Sequence, residues 1–87
     1  MNSDQAISRA IQVRLLRLGK TQRELAREAH INPNTLSKRT TGQITWTVKL
    51  LDTIAPHLGW RGSTDIINAA DNELSLIAAE RERGIHS

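Results

Sequence analysis

The stretch TQRELAREAHINPNTLSKRTTG, from Thr21 to Gly42, constrains this chain most, because it spells two short helices joined by a turn too tight to let them run side by side. Thr21 followed three residues later by Glu24 is a capping box, in which hydroxyl and carboxylate each satisfy an orphan amide, so a helix starts at Gln22. Leu25, Ala26 and Ala29 share one face of it, and Ala26 is small enough to admit a second helix at close range. Arg23, Arg27 and Glu28 lie on the other face. Asn32 suits a new N-cap and Pro33 the first helical position, where its missing amide has no intrahelical partner to lose. Leu36 then faces inward, and Gly42 can close the helix in a left-handed conformation. Pro33, Asn34, Ser37, Lys38 and Thr41 share the opposite, polar face.

This is the helix-turn-helix pattern, spanning about residues 22–41. Thr21, Gln22, Leu25, Ala26, Ala29, Ile31, Asn32, Leu36, Ser37 and Gly42 resemble the motif of the lambda-like repressor and Cro family. The resemblance covers about residues 4–60 and implies an all-α, five-helix bundle, a lambda-repressor-like DNA-binding domain. Two positions depart from the family pattern. His30 stands where relatives carry glycine at a turn position of positive φ, a conformation histidine tolerates better than a branched residue does. Arg39, Thr40 and Thr41 replace a bulky apolar anchor, which predicts a recognition helix held loosely at its C-terminal end.

The outer face of the second motif helix carries base-reading chemistry. Asn34 can pair bidentately with adenine, Lys38 can donate to guanine, Ser37 can pair with either, and Pro33 can touch a thymine methyl. Their common place toward the N-terminal end of that helix, with Thr41 further along, is the part that enters the major groove in this docking mode. Gln22, at the start of the first motif helix, is expected to bind a phosphate beside the groove. Lys20, Arg23, Gln43, Thr45, Thr47 and Lys49 flank the same surface and are further backbone candidates. Arg39 points more toward the bundle and is expected to snorkel outward to a phosphate or an acidic partner. Any one of these, taken alone, is as readily an ordinary surface residue; their shared face sets them apart.

Charge agrees with that placement. Residues 1–49 hold nine Lys/Arg against three Asp/Glu, a net of +6, whereas residues 50–87 hold three against six, a net of −3. The half that contains the motif is the half able to neutralise phosphates and release counterions. The 87 residues suffice for one domain, residues 1–87, with a modest core. There is no cysteine, so no disulfide or thiolate metal site is possible, and a reducing bacterial cytoplasm at the nucleoid is the expected setting. No secretory signal or membrane span is expected from apolar runs this short. His30, His57 and His86 show no ligand spacing, so no metal is expected, and no cofactor or small-molecule ligand is implied. No serine sits in a nucleophile elbow or beside a base with an orienting acid, so the chain reads as a non-enzyme.

Along the rest of the chain, Ser3 caps a first helix over residues 4–18 with Ile7, Ala10, Ile11, Leu15 and Leu18 inward and Gly19 as its stop. Thr45 or Thr47 caps a fourth helix running to about Leu58, with Val48, Leu51, Ile54, Ala55 and Leu58 inward. Pro56 should kink or loosen its last turn. Trp46 and Trp60 are expected to be buried. Ser63 caps a fifth helix from Thr64 to about Arg83, with residues 84–87 a frayed tail. On that helix Ile67, Ala70, Leu74 and Ile77 recur at three and four residues like a short heptad seam, and they are the dimerisation candidates. The same stripe would equally close the bundle's own core. The reading that combines these features is a small, sequence-specific regulator, most like a phage Cro or compact phage repressor, occupying a double-stranded operator that is an inverted repeat matched to a homodimer. Alternatives are the antitoxin of a toxin–antitoxin pair, using the same motif for autoregulation, and a helical protein-interaction module. The polar recognition face disfavours the module, since a protein-binding face would show apolar anchors there.

Overall fold

Capping and burial together divide the chain into five α-helices and one 3₁₀ turn, with no strand among the described residues. The computed structural model describes residues 3–86, and side chains for residues 3–75. The first helix, α1 (Ser3–Leu18), includes Ser3 within its first turn. It buries Ala6, Ala10, Ile11 and Leu15, while Ile7 is half-buried. Leu18, expected in the same stripe, is 43% exposed: it is the last helical residue before Gly19 takes φ +67° and turns the chain away, beyond the reach of the neighbouring helices.

Helix α2 (Gln22–Glu28) opens on the full capping box. The Glu24 amide donates to Thr21 Oγ1 at 3.1 Å, and the Thr21 amide to Glu24 Oε1 at 3.3 Å. The turn that follows places His30 at φ +57°, the left-handed conformation expected of that position. Helix α3 (Pro33–Thr40) starts on Asn32, whose Oδ1 accepts from the Asn34 amide at 2.9 Å. It ends as Gly42 reaches φ +86°, with the Gln43 amide donating back to the Lys38 carbonyl at 2.8 Å. That pattern closes the orphan carbonyls of the last turn.

Of the two candidate caps for the fourth helix, Thr47 serves: its Oγ1 accepts from the Leu50 amide at 3.2 Å at the head of α4 (Val48–Ile54). Val48, expected inward, is 60% exposed. It stands in the opening turn, and Trp46 fills the core at this end instead. The loosening at Pro56 takes the form of a 3₁₀ turn, Ala55–Leu58; proline lacks the amide that would have reached the Asp52 carbonyl. Asp52 gains other work, its Oδ1 accepting from the Ser63 amide at 2.7 Å at the start of α5 (Ser63–His86). Asp65 Oδ2 likewise accepts from the Arg61 amide at 2.9 Å. Ser63 is thus itself helical, and α5 continues past Arg83 through Gly84 to His86 in place of the expected fray.

One cluster of buried side chains ties these elements together, with Ile11, Leu25, Leu36, Ile54, Leu58 and Ile66 fully enclosed. Helix α5 lies along α1 and also touches α4. No described helix is long and apolar enough to cross a membrane.

Candidate nucleic-acid interface

Helix α3 presents two unlike sides. Leu36 is its one fully buried side chain, and it plugs the helix into the core between α1 and α2. Opposite it, Pro33, Asn34, Ser37 and Lys38 are all exposed. The Asn32 cap engages only the backbone amide of Asn34, which leaves that side-chain amide free to pair with a base edge. The Lys38 ammonium makes no hydrogen bond or ion pair among the described residues. Thr41 is exposed too, but its hydroxyl folds back onto the helix, 2.9 Å from the Ser37 carbonyl and 3.3 Å from that of Lys38. Its one proton serves the helix, so Thr41 offers only acceptor capacity outward.

The flanking candidates divide into free and engaged groups. The side chains of Arg23, Gln43 and Lys49 are exposed and unpaired among the described residues. Lys20 is not free: its Nζ sits 2.9 Å from Glu28 Oε2 and 3.0 Å from the His57 carbonyl, bracing α2 against the 3₁₀ turn. That hydrogen bond holds the Glu28 carboxyl below its ordinary range. The Thr47 hydroxyl accepts as a cap, and the Thr45 carbonyl accepts from Arg39 Nη1. Gln22 Oε1 lies 3.3 Å from Thr40 Oγ1, whose one proton has a nearer acceptor in the Ser37 carbonyl at 3.0 Å, so Gln22 is only lightly engaged at the junction of the two motif helices and its N–H groups stay available.

Arg39 departs most from expectation. Its guanidinium is half-buried against the loop that follows α3, bonded to Thr45, with Nε enclosed and unpaired. It faces the protein where an outward reach to phosphate was expected, because the loop carbonyl is the nearer acceptor. The C-terminal end of α3 is accordingly well tied. Ser8 Oγ donates to the Arg39 carbonyl at 3.3 Å and accepts from Trp46 Nε1 at 2.9 Å, and the Trp46 amide donates to Asp4 Oδ1 at 3.4 Å. Polar bonds replace the missing apolar anchor. Ser8 was not singled out in the sequence, although it stands three residues before Ile11 and seven before Leu15, on the inward stripe of α1. A serine at such a position is the signal of a buried hydroxyl with a partner.

On α5 the proposed seam splits. Ala70 is 4% exposed and packs inside the chain's own bundle, so it is not available to a second copy; its small side chain lets α1 and α5 approach. Ile67 is 42% exposed and Leu74 is half-buried, while the Ile77 side chain lies outside the described residues. Trp60 is half-buried beneath the Arg14 guanidinium, 5.3 Å from ring centre, and Arg14 Nε donates to the Leu58 carbonyl at 2.8 Å. Among the described residues no three His, Asp or Glu side chains meet as a metal site.

The helix-turn-helix family matches residues 11–59, from the middle of α1 to the end of the 3₁₀ turn. The crystal structure of the clp gene regulator ClgR from Corynebacterium glutamicum superposes with a TM-score of 0.81 at 25% identity, over 97% of this chain and 88% of that one. No curated protein matches the chain. Motif geometry, the matched span and the shared five-helix architecture agree, and the chain belongs to the helix-turn-helix family of DNA-binding transcription regulators.

Proposed function

We propose that this regulator is sequence-specific, reading a double-stranded operator through Asn34, Ser37 and Lys38 with Pro33 beside them, and acting by occupancy alone, without catalysis. The observation that carries this reading is the two-sidedness of α3: a fully enclosed Leu36 behind an exposed, unpaired row of polar side chains. Gln22, Arg23, Gln43 and Lys49 flank that row and supply backbone contacts; Lys20, Arg39 and Thr47 are engaged within the protein and contribute less. A module of this size reads few base pairs, so discrimination against a genome calls for a second copy. The exposed Ile67 and the neighbouring Leu74 on α5 support a homodimer on an inverted repeat, with half-sites one helical turn apart, about 34–36 Å. The setting that fits is the bacterial cytoplasm, where a Cro-like protein would exclude polymerase from its site.

Selection of bound sites from a pool of random duplexes tests the reading directly, followed by titration of the selected site against salt. A defined, palindromic site should emerge. Arg23→Ala or Lys49→Ala should each flatten the log–log salt dependence by up to about one unit. No enrichment of any sequence, or affinity indifferent to salt, would overturn it.

A further inference from the structure

Ser8 is the one polar residue buried among the described side chains, at 5% exposure, and it belongs to α1, outside the outward row on α3. Its surroundings explain the choice of side chain. An indole N–H can only donate and a backbone carbonyl can only accept, so a group between them must do both. A hydroxyl does so, and the chain of bonds from Trp46 Nε1 through Ser8 Oγ to the Arg39 carbonyl has one possible direction. The three partners belong to three elements, namely the loop before α4, helix α1 and the last turn of α3. Arg39 closes a second loop by donating to Thr45, next to Trp46 in sequence. The Arg39 carbonyl also receives the Gly42 amide at 3.2 Å, so the relay ends on the atom from which the left-handed closure of α3 hangs.

We propose that Ser8 is a positioning residue for base reading: with Trp46 it sets the pitch of α3 against α1, and through it the approach of Asn34, Ser37 and Lys38 to the groove. The proposal rests on the reading of α3 as a sequence-specific helix. Helix α3 is only eight residues long and has a single enclosed apolar side chain, Leu36, at its middle. One such contact fixes where a short rod sits but leaves it free to tilt about that point. The relay acts at the far end, where it ties α3 to α1 and, with the contacts of Thr40 to Gln22 and Arg39 to Thr45, limits the tilt. Bidentate pairing demands close angular tolerance, whereas attraction between Lys or Arg and phosphate does not. Loss of the relay therefore separates specific from non-specific affinity.

The test compares Ser8→Ala, Ser8→Thr and Trp46→Phe with the parent protein on two probes, the duplex enriched from a random pool and an unrelated duplex of equal length. Ser8→Ala should cut the ratio of the two affinities about tenfold with the salt dependence unchanged. Ser8→Thr, which keeps the hydroxyl, should restore most of it. Trp46→Phe should lose a similar part of the ratio, and combining it with Ser8→Ala should cost little more. Amide exchange in the free proteins should show faster exchange at Gly42, Gln43 and Ile44 in Ser8→Ala and not at the α2 cap. Equal loss on both probes, or an unaltered ratio, overturns the proposal; if Ser8→Ala does not fold, Ser8→Thr and Trp46→Phe decide it. Should the parent enrich no site at all, the operator reading falls, and unchanged exchange at residues 42–44 would still refute the anchor.

Discussion

Helices α3 and α5 both leave a face uncovered, and they do so by opposite means. The eight residues of α3 are held by one enclosed leucine and by polar bonds at both ends, and what they show outward is amide, hydroxyl and ammonium. The 24 residues of α5 are held by apolar packing through Ile66 and Ala70, and what they show outward includes an isoleucine. A surface meant for the base edges and phosphates of a duplex has to remain wet and polar until it docks, so its helix cannot also be fastened by a broad apolar stripe. A surface meant for another protein chain can be an extension of the stripe that fastens it. The contrast supports, on physical grounds, the proposal that α3 meets nucleic acid and α5 a protein partner.

If that contrast is right, the largest single loss should come from the lone anchor of α3. Leu36→Ala should cost about 2–5 kcal/mol in denaturant unfolding, because it opens a cavity in the core and α3 has no other enclosed apolar side chain to hold it there. A loss below about 1 kcal/mol would mean that the polar ties hold the helix unaided. Next come the exposed readers: Asn34→Ala or Lys38→Ala should weaken operator binding by roughly 1–3 kcal/mol with the melting temperature nearly unchanged. Equal weakening on random duplex would move these side chains to the phosphate class. On α5 the sign of the outcome reverses. Ile67→Glu should leave monomer stability within about 0.5 kcal/mol while light scattering shows the dimer gone; unfolding instead would return Ile67 to the bundle's own core.

The smallest effect concerns Glu28, which braces α2 through Lys20 and so indirectly supports α3. Its carboxyl titrates lower in the folded protein than in the unfolded chain because Lys20 donates to its charged form. A lowered folded value means that stabilisation is present above the unfolded value and is lost as the pH falls through the folded one. The difference in melting temperature between the parent protein and Glu28→Gln should therefore be small at neutrality and close as the pH drops well below about 4.3, the ordinary glutamate value. A difference that persists into acid would show that shape, not charge, makes the brace.

How much of this was legible depends on how far each interaction reaches along the chain. The capping box at Thr21 and Glu24, the Asn32–Pro33 start and the Gly42 closure join residues no more than five apart, and each appears where its sequence signature lies. The positive φ of His30 and the break at Pro56 are equally local. Val48 and Leu18 are exposed against expectation because periodicity says which way a side chain points and not whether anything stands opposite it at a helix end. In sequence Lys20 reads as a backbone-contact cation and Arg39 as one that snorkels to a phosphate or acidic partner, because their actual acceptors are carbonyls and a carboxylate contributed by the fold. Ser8 lies 31 residues from Arg39 and 38 from Trp46, a separation no local pattern spans. Sequence thus marked the exposed polar side of α3, while the struts behind it emerged only from the packing.

The relay at Trp46 also makes the protein its own instrument. The chain contains no tyrosine and no phenylalanine, so its near-ultraviolet absorption and emission come from two tryptophans alone. These two sit in unlike surroundings: Trp46 is enclosed and donates a hydrogen bond at the foot of the recognition helix, and Trp60 lies half-open beneath the Arg14 cation. A single-tryptophan variant of either kind would give a signal with one origin. Trp60→Phe would leave a fluorophore whose emission follows the seating of α3 as DNA arrives, and Trp46→Phe one that watches the α1–α5 side of the molecule. The two sides of the molecule could then be followed separately, each in its own unlabelled variant.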